Sequence, residues 1–168
     1  GRYKVEPIVQ PQVVSDDLFL PKLDLLDENT FSLMTWNVEN LFDIFDPHPS
    51  SPEKPTIHDY KVAITKVANT ILSAGAPTVV GLQEVENIEI LEDIAEHEIL
   101  AGFGYKPYLI DGTDSRYIDN GYLVRDGVAK VLEVEQHTAP EGLTSRPPLG
   151  ILVEFQSGSG PLRVHFLN

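Results

Sequence analysis

The sequence predicts an α/β fold with a strand-rich second half. Segments of helical period alternate with short apolar runs in the front half, and beyond Lys106 apolar runs follow one another with only turns between them. Near the end, Ser157-Gly158-Ser159-Gly160 lies between two apolar runs, which is a hairpin signature. At 168 residues the chain has the size of one domain and can bury a real core.

Residues 1–30 read as an extended acidic arm or linker. Pro7, Pro11 and Pro21 deny that stretch regular ladder bonding, while Val13, Val14, Leu18, Phe19 and Leu20 suit an arm packed on the domain. The domain itself is residues 31–168. Phe31–Asn37 reads as a buried strand and Glu39–Phe45 as a short helical turn. A polar loop through Pro47, Pro49, Pro52 and Pro55 follows, of the kind that borders sites. His58–Gly75 places Ile64, Val67, Ala68, Ile71 and Leu72 at helical spacing, and Gly75 stops that helix. Thr78–Gln83 is a second buried strand. Ile88–Gly102 reads as a second amphipathic helix with Leu91, Ile94, Ala95 and Ile99 on one face. Strands are then expected at Lys106–Ile110, Asn120–Arg125, Val128–Gln136, Leu149–Phe155 and Leu162–Leu167, with no internal repeat.

Composition narrows the function. The chain carries 12 basic against 26 acidic residues, a formal net charge of −14. Phosphate backbones attract lysine and arginine clusters, so a pure nucleic-acid-binding module is disfavoured. A metal-dependent phosphoesterase is not, because bound cations invert the local field. Cys 0 rules out disulfides and thiolate metal sites. No apolar run reaches membrane-spanning length and no signal-peptide core is present, so no membrane span is expected. The chain begins at Gly1, which allows an upstream segment to have been removed; cytoplasmic and bacterial extracytoplasmic locations both fit.

Two segments place amides and carboxylates at strand ends, where α/β proteins assemble polar sites. They are Thr35-Trp36-Asn37-Val38-Glu39-Asn40-Leu41-Phe42-Asp43 and Gly81-Leu82-Gln83-Glu84-Val85-Glu86-Asn87. Asn37 and Glu39 lie two apart, so extended backbone would put them on one face, and Glu84 could converge there from a neighbouring strand. One carboxylate with amides and water is a common way to hold magnesium near a phosphate. The competing reading is that the acids cap helices and the asparagines make turns. In Asp111-Gly112-Thr113-Asp114-Ser115-Arg116-Tyr117-Ile118-Asp119, the stretch Asp111 to Ser115 reads as local turns, and Asp119 at the mouth of a strand could orient an imidazole. Arg146 offers a fork of donors for phosphate oxygens, or is a surface arginine before a strand. His48, His58 and His97 read as loop or exposed-helix residues, His137 as a surface residue and His165 as a satisfied structural one; no His-x-x-x-His spacing points to zinc.

Taken in order, these segments resemble the endonuclease/exonuclease/phosphatase superfamily, the metal-dependent phosphoesterases that include pancreatic deoxyribonuclease and the abasic-site endonucleases. The matching pieces are Trp36 to Phe42, Leu82 to Asn87, Asp114 to Asp119 running into Leu123-Val124-Arg125, and Ser145-Arg146-Pro147-Pro148-Leu149. The resemblance implies the N-terminal part of a four-layer α/β/β/α sandwich with two packed, mostly antiparallel sheets. It implies hydrolysis of a phosphodiester or phosphomonoester by activated water, with Mg2+ as cofactor and Mn2+ or Ca2+ as alternatives. By position, Glu84 would be the principal metal ligand with Glu39 near the metal, Asn37 would help place metal and phosphate, Asp119 would support a histidine, and Arg146 would contact phosphate. The implied partner is a phosphate-ester substrate, with nucleic acid, lipid phosphodiester and inositol phosphate all open.

The resemblance also sets an expectation about completeness. Relatives continue past the position of Asn168 into an Asn-His pair, a Gly-Asp-x-Asn segment and a Ser-Asp-His, none of which is in the chain. It is therefore expected to need that C-terminal part of the domain, to be inactive alone, and to expose apolar sheet edges. The alternative from another class is a non-catalytic interaction domain on the same fold.

Overall fold

The computed structural model describes residues 30–45, 54–112, 114–137, 146–158 and 160–168. The expected arm, save Thr30, and Pro47, Pro49 and Pro52 of the proline-rich loop lie outside them, as does His48. In chain order the elements are β1 (Leu33–Leu41), α1 (Ile57–Ser73), β2 (Val79–Val85), α2 (Ile88–Glu96), a 3-10 turn (Ala101–Phe103), β3 (Tyr105–Leu109), β4 (Asp119–Arg125), β5 (Ala129–Gln136), β6 (Leu149–Phe155) and β7 (Leu162–Leu167). The first sheet has the order β1-β2-β4-β3 and the second β5-β6-β7. Among the described residues only β1 and β2 pair in parallel, with α1 as their crossover, and the other pairings are antiparallel.

The period-two alternation of β2 and β4 divides the core in two. Val80, Leu82 and Leu123 face α1 and α2, where they meet Ile64, Val67, Ile71, Ile90, Leu91 and Ile94. Val79, Tyr122 and Val124 face the second sheet and pack on Ile151, Val153 and Phe155. Phe31 extends that inter-sheet layer by stacking on Phe155 at 4.0 Å. The result is helices, sheet and sheet, three layers of the expected four. Both helices start on side-chain caps: the Thr56 hydroxyl accepts the Asp59 N–H at 3.1 Å, and Asn87 Oδ1 accepts the Ile90 N–H at 3.0 Å.

β1 is not covered like its neighbours. On its face away from the helices Leu33, Thr35 and Asn37 are exposed, Leu33 by 53%, whereas the same face of β2 and β4 is buried by the second sheet. At the other sheet's edge β7 pairs only with β6, and Leu167 is 66% exposed.

Five local expectations fail. Phe31–Asn37 is not a buried strand: each of its residues is exposed or half-buried, because among the described residues no second-sheet strand covers that part of β1. Glu39–Phe45 is not helical: β1 runs on to Leu41 through left-handed backbone at Glu39 and Asn40. The second helix ends at Glu96 rather than Gly102, because His97 turns extended and the chain folds back to bury Leu100. His97 is not idle: as C-cap it is half-buried, with Nδ1 accepting the Ile99 N–H at 3.3 Å and Nε2 3.1 Å from the Thr65 hydroxyl of α1. His165 is exposed rather than enclosed, since Val164 and Phe166 take the inward positions of β7.

Candidate functional site

The ends of β1 and β2 lie side by side, and both lose their register there. On β1 the pairing jumps from Asn37↔Gln83 to Leu41↔Val85, so three β1 residues stand opposite Glu84 alone. On the other side of β2 the pairs Gln83↔Asn120 and Val85↔Asp119 leave Glu84 without a partner. Bulges re-aim the residue they extrude. Here the extruded residues also adopt left-handed backbone, with φ of 59° at Glu39, 54° at Asn40 and 68° at Glu84. Such angles cost non-glycine residues about 1–3 kcal/mol each and gather where a site needs them. Extended geometry therefore does not hold from Asn37 to Glu39. Glu39 is exposed, and among the described residues it gives the cluster its N–H, donated to Asn37 Oδ1 at 2.9 Å.

That bond turns the Asn37 amide toward Glu84. The Glu84 carboxylate, 13% exposed, is the centre of the cluster: Oε2 accepts the Asn40 N–H at 3.2 Å, and Oε1 lies 3.5 Å from Arg146 Nη1 and 3.8 Å from Arg116 Nη2. The Asn37 side chain, then Arg146, Arg116 and the Asn40 N–H, hold it below the ordinary glutamate range, against the opposing effect of desolvation. Arg146 thus faces inward, 19% exposed, rather than standing free on the surface.

The remaining acids of the two motifs have structural work. Asp43 is buried, accepting the Phe45 N–H at 2.7 Å and the Asn87 amide at 2.8 Å, while Glu86 accepts the Asp43 N–H at 2.7 Å. These bonds stitch the chain after β1 to the chain after β2 and fix the bulges beneath Glu84. The competing reading holds in kind but with the roles exchanged: the asparagine, Asn87, caps α2 and the acid, Asp43, makes the turn.

Asp119 is 5% exposed at the start of β4, and its Oδ1 accepts the Gly112 N–H at 3.0 Å. Burial raises its pKa, opposed by that N–H, with Asp111 and Asp114 adding to the rise and Arg146 opposing it. Among the described residues no histidine is bonded to it. Asp114 does make the expected local turn, accepting the Arg116 N–H at 2.7 Å, yet it is also buried and sits 3.7 Å from Arg116 Nε.

Asn168 ties the end of β7 to the first sheet beside Gln83. It follows β7, and its amide donates to the Leu82 and Gly121 carbonyls at 2.9 and 3.2 Å while its Oδ1 accepts from Gln83. Its backbone carbonyl accepts from the Asn120 amide at 3.1 Å. Arg116, Asn40 and Asn168 are the participants to which the sequence gave no role. The signal for Arg116 was its place among only 12 basic residues of an acidic chain, in the loop that leads into Asp119.

Among the described residues no group of three or more His, Asp or Glu forms a metal cage. The donors present, one ionised carboxylate beside amide groups, instead fit the mode in which magnesium uses one or two carboxylates and takes water and phosphate for the rest.

A chain with this fold and this strand-end cluster belongs to the endonuclease/exonuclease/phosphatase family, whose profile matches residues 32–149. No curated protein sequence matches it significantly. Solved structures share the fold. A humanized D. rerio TDP2 carrying 14 mutations is 20% identical with a TM-score of 0.52, over 80% of this chain and 45% of that one. D. rerio TDP2 complexed with a single-strand DNA product is 23% identical with a TM-score of 0.50, over 80% and 44%. The human Nocturnin catalytic domain with a bound sulfate anion is 12% identical with a TM-score of 0.52, over 84% and 50%. The chain thus spans about half the length, or less, of these structures.

Proposed function

We propose that the protein of which this chain forms the site's first half is a magnesium-dependent phosphoesterase, acting on a phosphodiester and most simply on single-stranded nucleic acid. One observation carries the reading. Glu84 is an ionised, mostly covered carboxylate on a left-handed bulge, and two arginines are directed at it. No packing need explains that expense. Glu84 would hold the metal, with the Asn37 amide beside it and Glu39 at the exposed rim. The metal, when bound, would polarise the phosphoryl group and stabilise charge on the leaving oxygen.

The chain's own residues supply the rest. Arg146, mostly covered and 3.5 Å from Glu84, offers its fork to a non-bridging phosphate oxygen. Asp119, largely desolvated and bonded to Gly112, would hold an imidazole in one orientation. The single-strand preference rests on the chain's −14 charge, which is unsuited to gripping a long duplex, and on the DNA product bound by the D. rerio relative.

The test is release of product from single-stranded DNA, RNA, a lipid phosphodiester and an inositol phosphate by the full-length protein, with and without chelator. Activity on the DNA, abolished by chelator and lowered at least about 100-fold by Glu84→Gln, is expected. Turnover that survives both treatments overturns the metal-dependent reading, and turnover confined to lipid or inositol phosphate overturns the substrate.

A further inference from the structure

Two guanidiniums converge on one oxygen of Glu84, and they are unequally covered. Arg146 is 19% exposed and Arg116 is 45% exposed. Arg116 reaches Glu84 Oε1 at 3.8 Å, Asp114 Oδ1 at 3.7 Å through Nε, and Asn40 Oδ1 at 3.5 Å through Nη1. All three distances exceed the roughly 2.7–2.9 Å of a formed charge-assisted bond. The side chain is therefore drawn to three oxygens and locked to none. Its backbone, in contrast, is pinned, since the buried Asp114 carboxylate accepts the Arg116 N–H at 2.7 Å. The base of the side chain stays fixed whichever way its head points.

A divalent cation reaching Glu84 meets these arginines as like charges, and the exposed, loosely held one yields at least cost. We propose that Arg116 is a placeholder cation: it competes with the divalent cation for Glu84 Oε1 and, once displaced, turns on its Asp114 anchor to meet the phosphate of the incoming ester. This rests on Glu84 being the metal carboxylate. The charge balance supports it. Without metal, Arg116 and Arg146 offset the desolvation of the Glu84 carboxylate. With metal and a phosphodiester both present, the added positive and negative charges arrive together, and Arg116 has an anion to receive it in the planar geometry its fork favours.

The experiment measures binding on the full-length protein, with Mn2+ as the metal probe followed by electron paramagnetic resonance, and inorganic phosphate titrated in the presence of Mg2+ as the second probe. Removing a competing cation should make Arg116→Gln bind Mn2+ about three- to tenfold more tightly, the scale of one like charge at a half-exposed site. The same variant should bind phosphate more weakly. A merely structural arginine would weaken both or change neither, and either outcome overturns the proposal. Should Arg116→Gln fold poorly because the buried Asp114 carboxylate loses its cation, Asp114→Asn/Arg116→Gln removes both charges and carries the same opposite-sign test. Glu84→Gln separates the two levels. Mn2+ binding lost in Glu84→Gln but unchanged in Arg116→Gln sinks the placeholder alone, whereas binding that is absent from the start or indifferent to Glu84→Gln sinks the metal reading and the placeholder together.

Discussion

Gly112→Ala is expected to be among the most damaging single-methyl additions this domain can receive. The backbone angle there is one that any residue adopts; what is missing is room. A Cβ on Gly112 would stand 2.4 Å from Asp119 Oδ1 and 3.3 Å from Pro147 Cδ. Ordinary contact begins near 3.4 Å, so the carboxylate must retreat by about 1 Å, and it has nowhere to go because Asp119 is 5% exposed. Retreat also breaks the 3.0 Å bond from the Gly112 N–H, the donor that offsets part of the cost of burying this charge. Overpacking costs about 1–3 kcal/mol and a lost bond to a charged group about 1.5–3 kcal/mol; since relaxation serves both, about 2–4 kcal/mol is expected in urea denaturation. Gly150→Ala is the matched control. Its Cβ would come 2.6 Å from His137 Nε2, but that ring is 47% exposed and can swing aside, so the loss should stay below about 1 kcal/mol. In an Asp119→Ala background the obstructing oxygen is gone, and the cost of Gly112→Ala should fall by at least half. An undiminished cost in that background would refute the steric cause, and a loss equal to that of Gly150→Ala would refute the claim that burial decides the price.

Further outcomes follow from the same geometry. Asp119→Asn keeps an acceptor for Gly112 but removes a charge whose folded pKa is raised by burial. The two proteins should differ least in acid, and the variant's stability advantage should grow as pH rises from the ordinary aspartate value through the raised one, where the unfolded chain ionises first. A pH-independent difference in denaturation midpoints would contradict this. Asn87→Ala removes both the cap on α2 and the amide bond to buried Asp43, and should cost about 2–3 kcal/mol by urea denaturation. Tyr60→Phe deletes the 2.6 Å bond from the α1 phenol to Asp93 on α2 and should cost about 1 kcal/mol, checked by thermal unfolding.

The elements that sequence made legible are those with a clean period and a hard stop. β6 and β7 coincide with the expected bounds, since each is an apolar run closed by turn residues. α1 was equally plain, although Leu72 falls on its exposed side. The strand ends carrying Asn37 and Glu84 could be found because amides and acids follow apolar residues there. What could not be read is the shape of those ends. Glu39-Asn40-Leu41-Phe42 has ordinary helix-compatible residues, and its left-handed turn is imposed from 44 residues away by the Glu84 carboxylate accepting the Asn40 N–H. Arg116 was hidden for the same reason. Its partners Asn40 and Glu84 come from other strands, and its own loop looks like a simple turn. Long-range placement decided each of these cases, and local pattern carries no record of it.

Asn168 gives the site a place in time as well as in space. Its side chain meets Gln83, Leu82 and Gly121, and the bond to Leu82 spans 86 residues of sequence. Contacts of such separation repay their loop-closure entropy late, after local helices and hairpins have formed. The first sheet can pair and receive its helices before the β6–β7 hairpin delivers that amide to the Leu82 and Gly121 carbonyls. The contacts of Asn168 are then expected among the last to form. Recovery of the Asn168–Leu82 contact during refolding would therefore lag recovery of helix signal.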